Sequence, residues 1–131
     1  MKNDKSPYVL DSSIWIELER KNQSISELIL PFIKKNQICV VDLILAEVLR
    51  GVKDEKGFRV LKKAFMEFPL IGTSWIRVSK LAFEVRANGF QPPLTDLYIA
   101  QCMIDHKKKL FTRDGDFINI QRVRKFDLEV L

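Results

Sequence analysis

Three short apolar runs in this chain stop abruptly at polar or acidic residues, and two of them lead straight into stretches with helical periodicity. Tyr8-Val9-Leu10 ends at Asp11, Ile38-Cys39-Val40-Val41 ends at Asp42, and Leu110-Phe111-Thr112 runs into Arg113-Asp114. Apolar runs of this length, without polar alternation, suit strands covered on both faces, as in a parallel sheet. Parallel neighbours cannot be joined by a tight turn and need a crossover, usually a helix. The alternation therefore predicts an α/β fold, a three-layer α/β/α sandwich around a mainly parallel five-stranded sheet. At 131 residues, 47% of them hydrophobic, the chain is near the commonest domain size. One domain over residues 1–131 is expected, with residues 1–6 as a frayed N-terminal extension.

Local signals set the elements. Ser12 or Ser13 is expected to N-cap a helix through about Arg20. Ser24-Ile25-Ser26-Glu27 has capping-box form and opens a second helix, which Pro31 should break or kink. Asp42 caps a helix from Leu43 to Arg50, stopped by Gly51. Phe58, Leu61, Phe65 and Phe68 recur at helical spacing, and Phe68 to Ile71 reads as an edge strand because it contains Pro69. A helix from about Ser74 to Asn88 ends at Gly89. Thr95 then caps a helix from Asp96 to Lys107, a strand covers Lys109 to Thr112, and a turn or short helix spans Asp114 to Ile120. The last strand lies around Phe126 to Val130.

In such a sheet the helices run against the strands, so strand C-termini and helix N-termini share one rim. Ligands of open α/β sheets bind there. Asp11 and Asp114 close strands, while Glu47 and Asp96 are read into first helical turns, on the apolar stripes. Each acid has an ordinary explanation when taken alone. Asp11 can cap the next helix, Asp96 can favour the positive end of a helix dipole, and Glu47 can pair with Arg50. Asp114 and Asp116 can be plain turn acids. Four acids on one rim make coincidence the poorer account. Carboxylates gathered from distant sequence are what a hard divalent cation needs, so a metal-dependent hydrolytic site is the first expectation.

Other chemistries fit less well. The only histidine, His106, sits at a helix end before three lysines and reads as a solvated cation, leaving no His-based triad. No Gly-rich loop precedes a Lys-Ser or Lys-Thr pair, which excludes a P-loop. Phosphoaspartate chemistry on Asp11 would want a second acid two residues on, where the chain has Ser13. Cys39 and Cys102 lack metal or redox spacing and read as reduced core residues of a cytoplasmic protein. No apolar run approaches a membrane span, and no apolar segment follows the N-terminal charges. Net charge is +5, and with the five named acids gathered in one place, 12 acids remain against 22 Lys and Arg. Such a surface favours a polyanion. The runs Lys62-Lys63 and Lys107 to Lys109 read as solvated faces.

Four motifs in order carry a resemblance: Val9-Leu10-Asp11-Ser12-Ser13-Ile14-Trp15-Ile16, Ala46-Glu47-Val48-Leu49-Arg50-Gly51, Thr95-Asp96-Leu97-Tyr98-Ile99-Ala100, and Leu110-Phe111-Thr112-Arg113-Asp114-Gly115-Asp116-Phe117. Together they resemble the PIN-domain ribonucleases, and among them the VapC-type toxins of bacterial toxin–antitoxin pairs. The resemblance implies sheet order 3-2-1-4-5 and Mg²⁺- or Mn²⁺-dependent endonucleolytic cleavage of structured RNA such as tRNA or rRNA. It implies Asp11, Glu47, Asp96 and Asp114 as the catalytic, metal-binding quartet and Asp116 as a fifth metal-site acid. Ser12 or Ser13 and Thr112 match the small hydroxyl residues near the metal. The implied partners are a small VapB-type antitoxin, whose C-terminal segment lies across the site, and a second copy of the chain. Trp15, Ile16 and Phe58 are either part of such an interface or core. The competing reading is a catalytically silent module that keeps the fold to bind RNA or protein. It predicts a broken quartet, and this one is intact.

Overall fold

The central strand, β1 (Tyr8–Leu10), is extended on both sides by parallel partners. The structure, a computed structural model, describes residues 6–131. After β1 come α1 (Ser12–Glu19), α2 (Gln23–Lys34), β2 (Ile38–Val41), α3 (Asp42–Arg50), α4 (Glu55–Phe65) and the two-residue β3 (Leu70–Ile71). The chain continues through α5 (Trp75–Ala87), α6 (Leu94–His106), β4 (Lys109–Thr112), α7 (Phe117–Val123) and β5 (Asp127–Val130). The sheet order is β3-β2-β1-β4-β5, every pairing parallel. Tyr8 stands opposite Ile38 on one side and Lys109 on the other. The expected order and sandwich are both present.

Strand alternation divides the core into two halves. Val9, Cys39, Val41 and Leu110 point to one face, against Ile44, α5, α6 and the buried Phe117 and Ile120 of α7. Leu10, Ile38 and Phe111 point to the other, against Ile14 of α1 and Ile25 and Ile29 of α2. Adjacent residues of one strand thus serve opposite layers, which explains apolar runs without alternation. The edge strand β3 is short, and Pro69 just before it accepts from the Val40 N–H at 2.8 Å through its carbonyl, a position where its missing N–H costs nothing.

Several helix boundaries differ from those read in the sequence. The N-cap of α1 is Asp11, and Ser12 and Ser13 are the first helical residues. Asn22 caps α2, accepting from the Ile25 N–H, and Ser24 donates to Asn22 Oδ1 instead of capping. Pro31 lies within α2, which runs on through Lys34. Proline removes one N–H and crowds the preceding turn, a cost the apolar face held by Ile25 and Ile29 offsets. Helix α6 begins at Leu94 after Pro93, one turn position before the expected Thr95 cap. Helix α4 stops at Phe65, short of Phe68.

The expected frayed extension falls on residues 1–5, outside the described residues, and on Ser6. Ser6 is buried and donates from Oγ to the Asn36 carbonyl at 3.1 Å. His106 is not simply solvated either: its Nε2 lies 2.9 Å from the Gly72 carbonyl. Lys108 is buried, and Lys109 pairs with Glu129 at 2.8 Å, so only Lys107 of that run has the expected solvated character. Cys39 and Cys102 are buried and not joined in a disulfide, as expected of core residues. Among the described residues no helix is long and apolar enough to cross a membrane.

Candidate active site

Strand order reverses at β1: β2 and β3 lie to one side, β4 and β5 to the other. The crevice at such a reversal, beyond the strand C-termini, is where open α/β sheets bind ligands. Asp11 leaves β1 there and Thr112 to Asp116 leave β4.

Asp11 is 7% exposed and fully engaged. Oδ1 accepts from the Ser12 N–H at 2.9 Å, and Oδ2 accepts from Ser13 Oγ at 3.1 Å and Thr112 Oγ1 at 2.7 Å. Its own N–H donates to the Phe111 carbonyl at 2.9 Å. Capping α1 and standing at the crevice are therefore one arrangement, and the carboxylate has a fixed orientation.

Thr112 ties the second strand to the first. It is fully buried, and its Oγ1 also accepts from the Asp114 N–H at 3.0 Å. Asp114 Oδ1 in turn accepts from the Asp116 N–H at 2.9 Å. The Arg113 N–H donates to Ser13 Oγ at 3.1 Å, and its guanidinium lies 3.5 Å from Glu17 of α1. Ser13 and Thr112 thus act as a double hinge pin between α1 and the acidic loop. The Arg113–Glu17 contact was not anticipated, since nothing in the sequence relates residues so far apart.

Glu47 and Asp96 approach from the helices. Asp96 is the third residue of α6, near the positive end of the helix dipole. Burial pushes its carboxyl up to about 6, with further contributions from the charges of Asp114, Asp11, Glu47 and Asp116. All five acids singled out in the sequence therefore share one electrostatic neighbourhood. Glu47 is the sixth residue of α3, one turn deeper than its expected first-turn place. Burial and the Asp11 charge raise its carboxyl as well, and Arg50 opposes them. Glu47 Oε1 is buried without a hydrogen-bond partner.

A buried carboxylate oxygen with no donor, beside other carboxylates, costs free energy unless a proton or cation meets it. The donor set is all oxygen, which suits a hard divalent ion. Among the described residues no three of these acids close into a ready-made cage. Their charges act on one another without closing round a centre, an open arrangement compatible with Mg²⁺, which keeps several of its waters. The residues fit such an ion.

Asp42, the additional acid, belongs elsewhere. It accepts from the Leu43 N–H at 2.7 Å and the Tyr98 hydroxyl at 2.8 Å. The same hydroxyl accepts from the Thr73 N–H at 3.2 Å, stitching the loop after β3 to α6. Trp15 packs edge-on against Phe65 and Phe68, whereas Ile16 and Phe58 are 43% and 41% exposed.

The PIN domain family model matches residues 8–123. No curated protein matches the chain by sequence. Among solved structures, VapBC2 from Rickettsia felis, bound to a DNA fragment from its promoter, aligns with a TM-score of 0.75 and 22% identity. The alignment covers 95% of this chain and 98% of that one. A toxin–antitoxin complex from Klebsiella pneumoniae aligns at TM-score 0.68 and 21% identity, over 84% and 89% of the two chains. DNA-bound VapBC from Salmonella typhimurium gives 0.73 and 16%, over 94% and 96%. At these identities the likeness is one of fold.

Proposed function

The chain belongs to the PIN domain family, and on that footing we propose that it is a metal-dependent endoribonuclease, the toxin of a VapBC-type pair. The observation that carries this reading is the convergence of Asp11, Glu47, Asp96, Asp114 and Asp116 around one crevice, with an unpartnered Glu47 oxygen buried beside them. Asp11 and Asp96 would hold the principal Mg²⁺ or Mn²⁺, with Glu47 and Asp114 completing the site and Asp116 at its margin. A divalent ion there supplies an activated water and neutralises charge on the phosphate oxygens.

The protein's own part is orientation and charge. Ser12, Ser13 and Thr112 fix both oxygens of Asp11, leaving that carboxylate no freedom to swing away. The Asp96 carboxyl, pushed up to about 6, must give up its proton for the site to load, so loading is favoured above that pH. Asp11 itself is nearly buried, which strengthens the charge interactions it makes.

A small VapB-type antitoxin and a second copy of the chain are the proposed partners, acting in the cytoplasm. The names of the aligned complexes support the first of these. Purified protein incubated with total RNA and Mg²⁺ or Mn²⁺ should give discrete fragments, lost with chelator and with Asp96→Asn. Metal-dependent cleavage by a folded Asp96→Asn protein would remove Asp96 from the mechanism. No cleavage by metal-loaded, inhibitor-free wild type would favour the silent binding module.

A further inference from the structure

Arg113 lies between Thr112, which bonds to Asp11, and Asp114, which bonds to Thr112. Its backbone is pinned beside the acids: the N–H donates to Ser13 Oγ at 3.1 Å, and that hydroxyl donates to Asp11 Oδ2 at 3.1 Å. The side chain, by contrast, is 43% exposed. Resting on the nuclease reading, we propose that Arg113 is a catalytic residue whose guanidinium leaves Glu17 to hold the non-bridging oxygens of the scissile phosphate.

The contact with Glu17 is a loose one. Guanidinium and carboxylate stand 3.5 Å apart, against about 2.7–2.9 Å for a charge-assisted hydrogen bond. The oxygen that faces Arg113, Oε2, already accepts from Asn22 Nδ2 at 2.9 Å. Arg20 approaches the other oxygen at 3.8 Å, so one carboxylate serves two guanidinium groups and the three together keep a net positive charge. Arg50, the cation that Glu47 feels, is already spent on that carboxylate. Arg113 suits a phosphodiester better: a planar guanidinium matches two phosphate oxygens, and an exposed ion pair costs little to exchange.

In hydrolysis a water oxygen bonds to phosphorus while one ester P–O bond breaks. The water gives up a proton and the departing oxygen gains one. Negative charge builds on the two non-bridging oxygens as the new bond forms, and a donor aimed there lowers the barrier. Arg113 exchanges no proton in this step. Its charge also offsets the repulsion between the acids and an incoming phosphate.

The test is steady-state cleavage of a short labelled RNA, spanning a site that wild type cuts in total RNA, by Arg113→Gln, Arg113→Lys and Glu17→Gln. The rise in melting temperature with Mg²⁺ or Mn²⁺ is measured on each protein, which also establishes that each is folded. Arg113→Gln should lose about 100-fold or more in kcat, the scale of one transition-state donor, with KM changed far less. Arg113→Lys should recover part of that, as a point charge without the planar fork. Glu17→Gln should stay within about fivefold of wild type, the scale of an exposed ion pair, because it removes only the resting place. All three should keep the metal-dependent rise, since neither residue is a proposed ligand.

Equal losses in Arg113→Gln and Glu17→Gln would make the pair a strut between α1 and the acidic loop and overturn the proposal. So would an Arg113→Gln protein that cleaves as fast as wild type, or one that no longer responds to metal. If wild type cleaves no RNA in either metal, the nuclease reading itself fails and takes the proposal with it, a result distinct from all of these.

Discussion

Thr112 Oγ1 donates to Asp11 Oδ2 at 2.7 Å, joining residues 101 positions apart at the C-terminal ends of two adjacent strands. The same hydroxyl oxygen accepts from the Asp114 N–H, so one side chain sets the relative position of two candidate ligands. Because Thr112 is fully buried, water cannot substitute for either bond.

Replacing Thr112 by Val keeps the volume and removes both bonds. The Asp114 N–H and one Asp11 oxygen lose a partner, a loss of about 1–3 kcal/mol in a buried setting. Urea unfolding of Thr112→Val should show that loss, and Thr112→Ser should recover most of it. Metal-dependent cleavage should fall with Val and return with Ser. A Val variant as stable and active as wild type would show that the hydroxyl does not organise the site.

Lys21 follows α1 with φ 60°, in the left-handed region that favours glycine. Its N–H bonds to the Leu18 carbonyl, and the Asn22 N–H to that of Glu17, the paired bonds of a Schellman ending. A residue with a Cβ loses about 1–2 kcal/mol in this conformation, and glycine's greater unfolded-state entropy returns part of that. Lys21→Gly should therefore stabilise the protein by about 0.5–1 kcal/mol, and Lys21→Val should destabilise it. Paired thermal melts decide the sign.

Much of this was legible in the sequence because burial on two faces writes itself as uninterrupted apolar runs. Val9 and Leu10, or Leu110 and Phe111, serve opposite layers and so had to be apolar together. Asp11 and Asp114 were readable because each interrupts such a run at its C-terminal end. Glu47 and Asp96 were readable because they break apolar helical stripes, yet the depth of Glu47 within α3 was not. Helix starts shifted by one or two positions wherever several Ser, Asn or Asp residues competed for the cap. Local sequence ranks Ser12, Ser13 and Asp11 nearly equally, and the long-range bonds to Phe111 and Thr112 decide among them. The Arg113–Glu17 contact depends on tertiary placement that no spacing rule encodes.

Gly72 marks another close approach. A Cβ there would stand 2.5 Å from Asp42 Oδ2 and 3.1 Å from the Tyr98 hydroxyl. Gly72→Ala should break or displace the Asp42–Tyr98 bond and destabilise the fold by about 1–3 kcal/mol. Combining it with Asp42→Ala removes the obstructing carboxylate, so the double variant should lose less than the two single losses added together. Additive losses would show that the crowding lies elsewhere.

Asp96 gives the sharpest pH prediction. Its folded carboxyl is raised from an ordinary 3.8 to about 6, so the native state holds that proton more tightly than the unfolded chain. The corresponding stability is fully present below about 3.8 and is lost as pH rises through about 6. Metal-free protein should therefore melt at a falling temperature between those values, as the ionised cluster repels itself. Glu47, raised in the same direction, adds to the trend. Asp96→Asn keeps the shape without the charge, so it should flatten this part of the profile and melt higher than metal-free wild type at neutral pH. Mg²⁺ or Mn²⁺ should raise the melting temperature of wild type at pH 7 and do so far less for the variant, because binding to the native state alone is what stabilises it. Melting curves across pH 4–8, with and without metal, test all of these signs together. A wild type whose stability rises from pH 4 to 6, with no response to either ion at pH 7, would contradict the acidic cluster as a cation site.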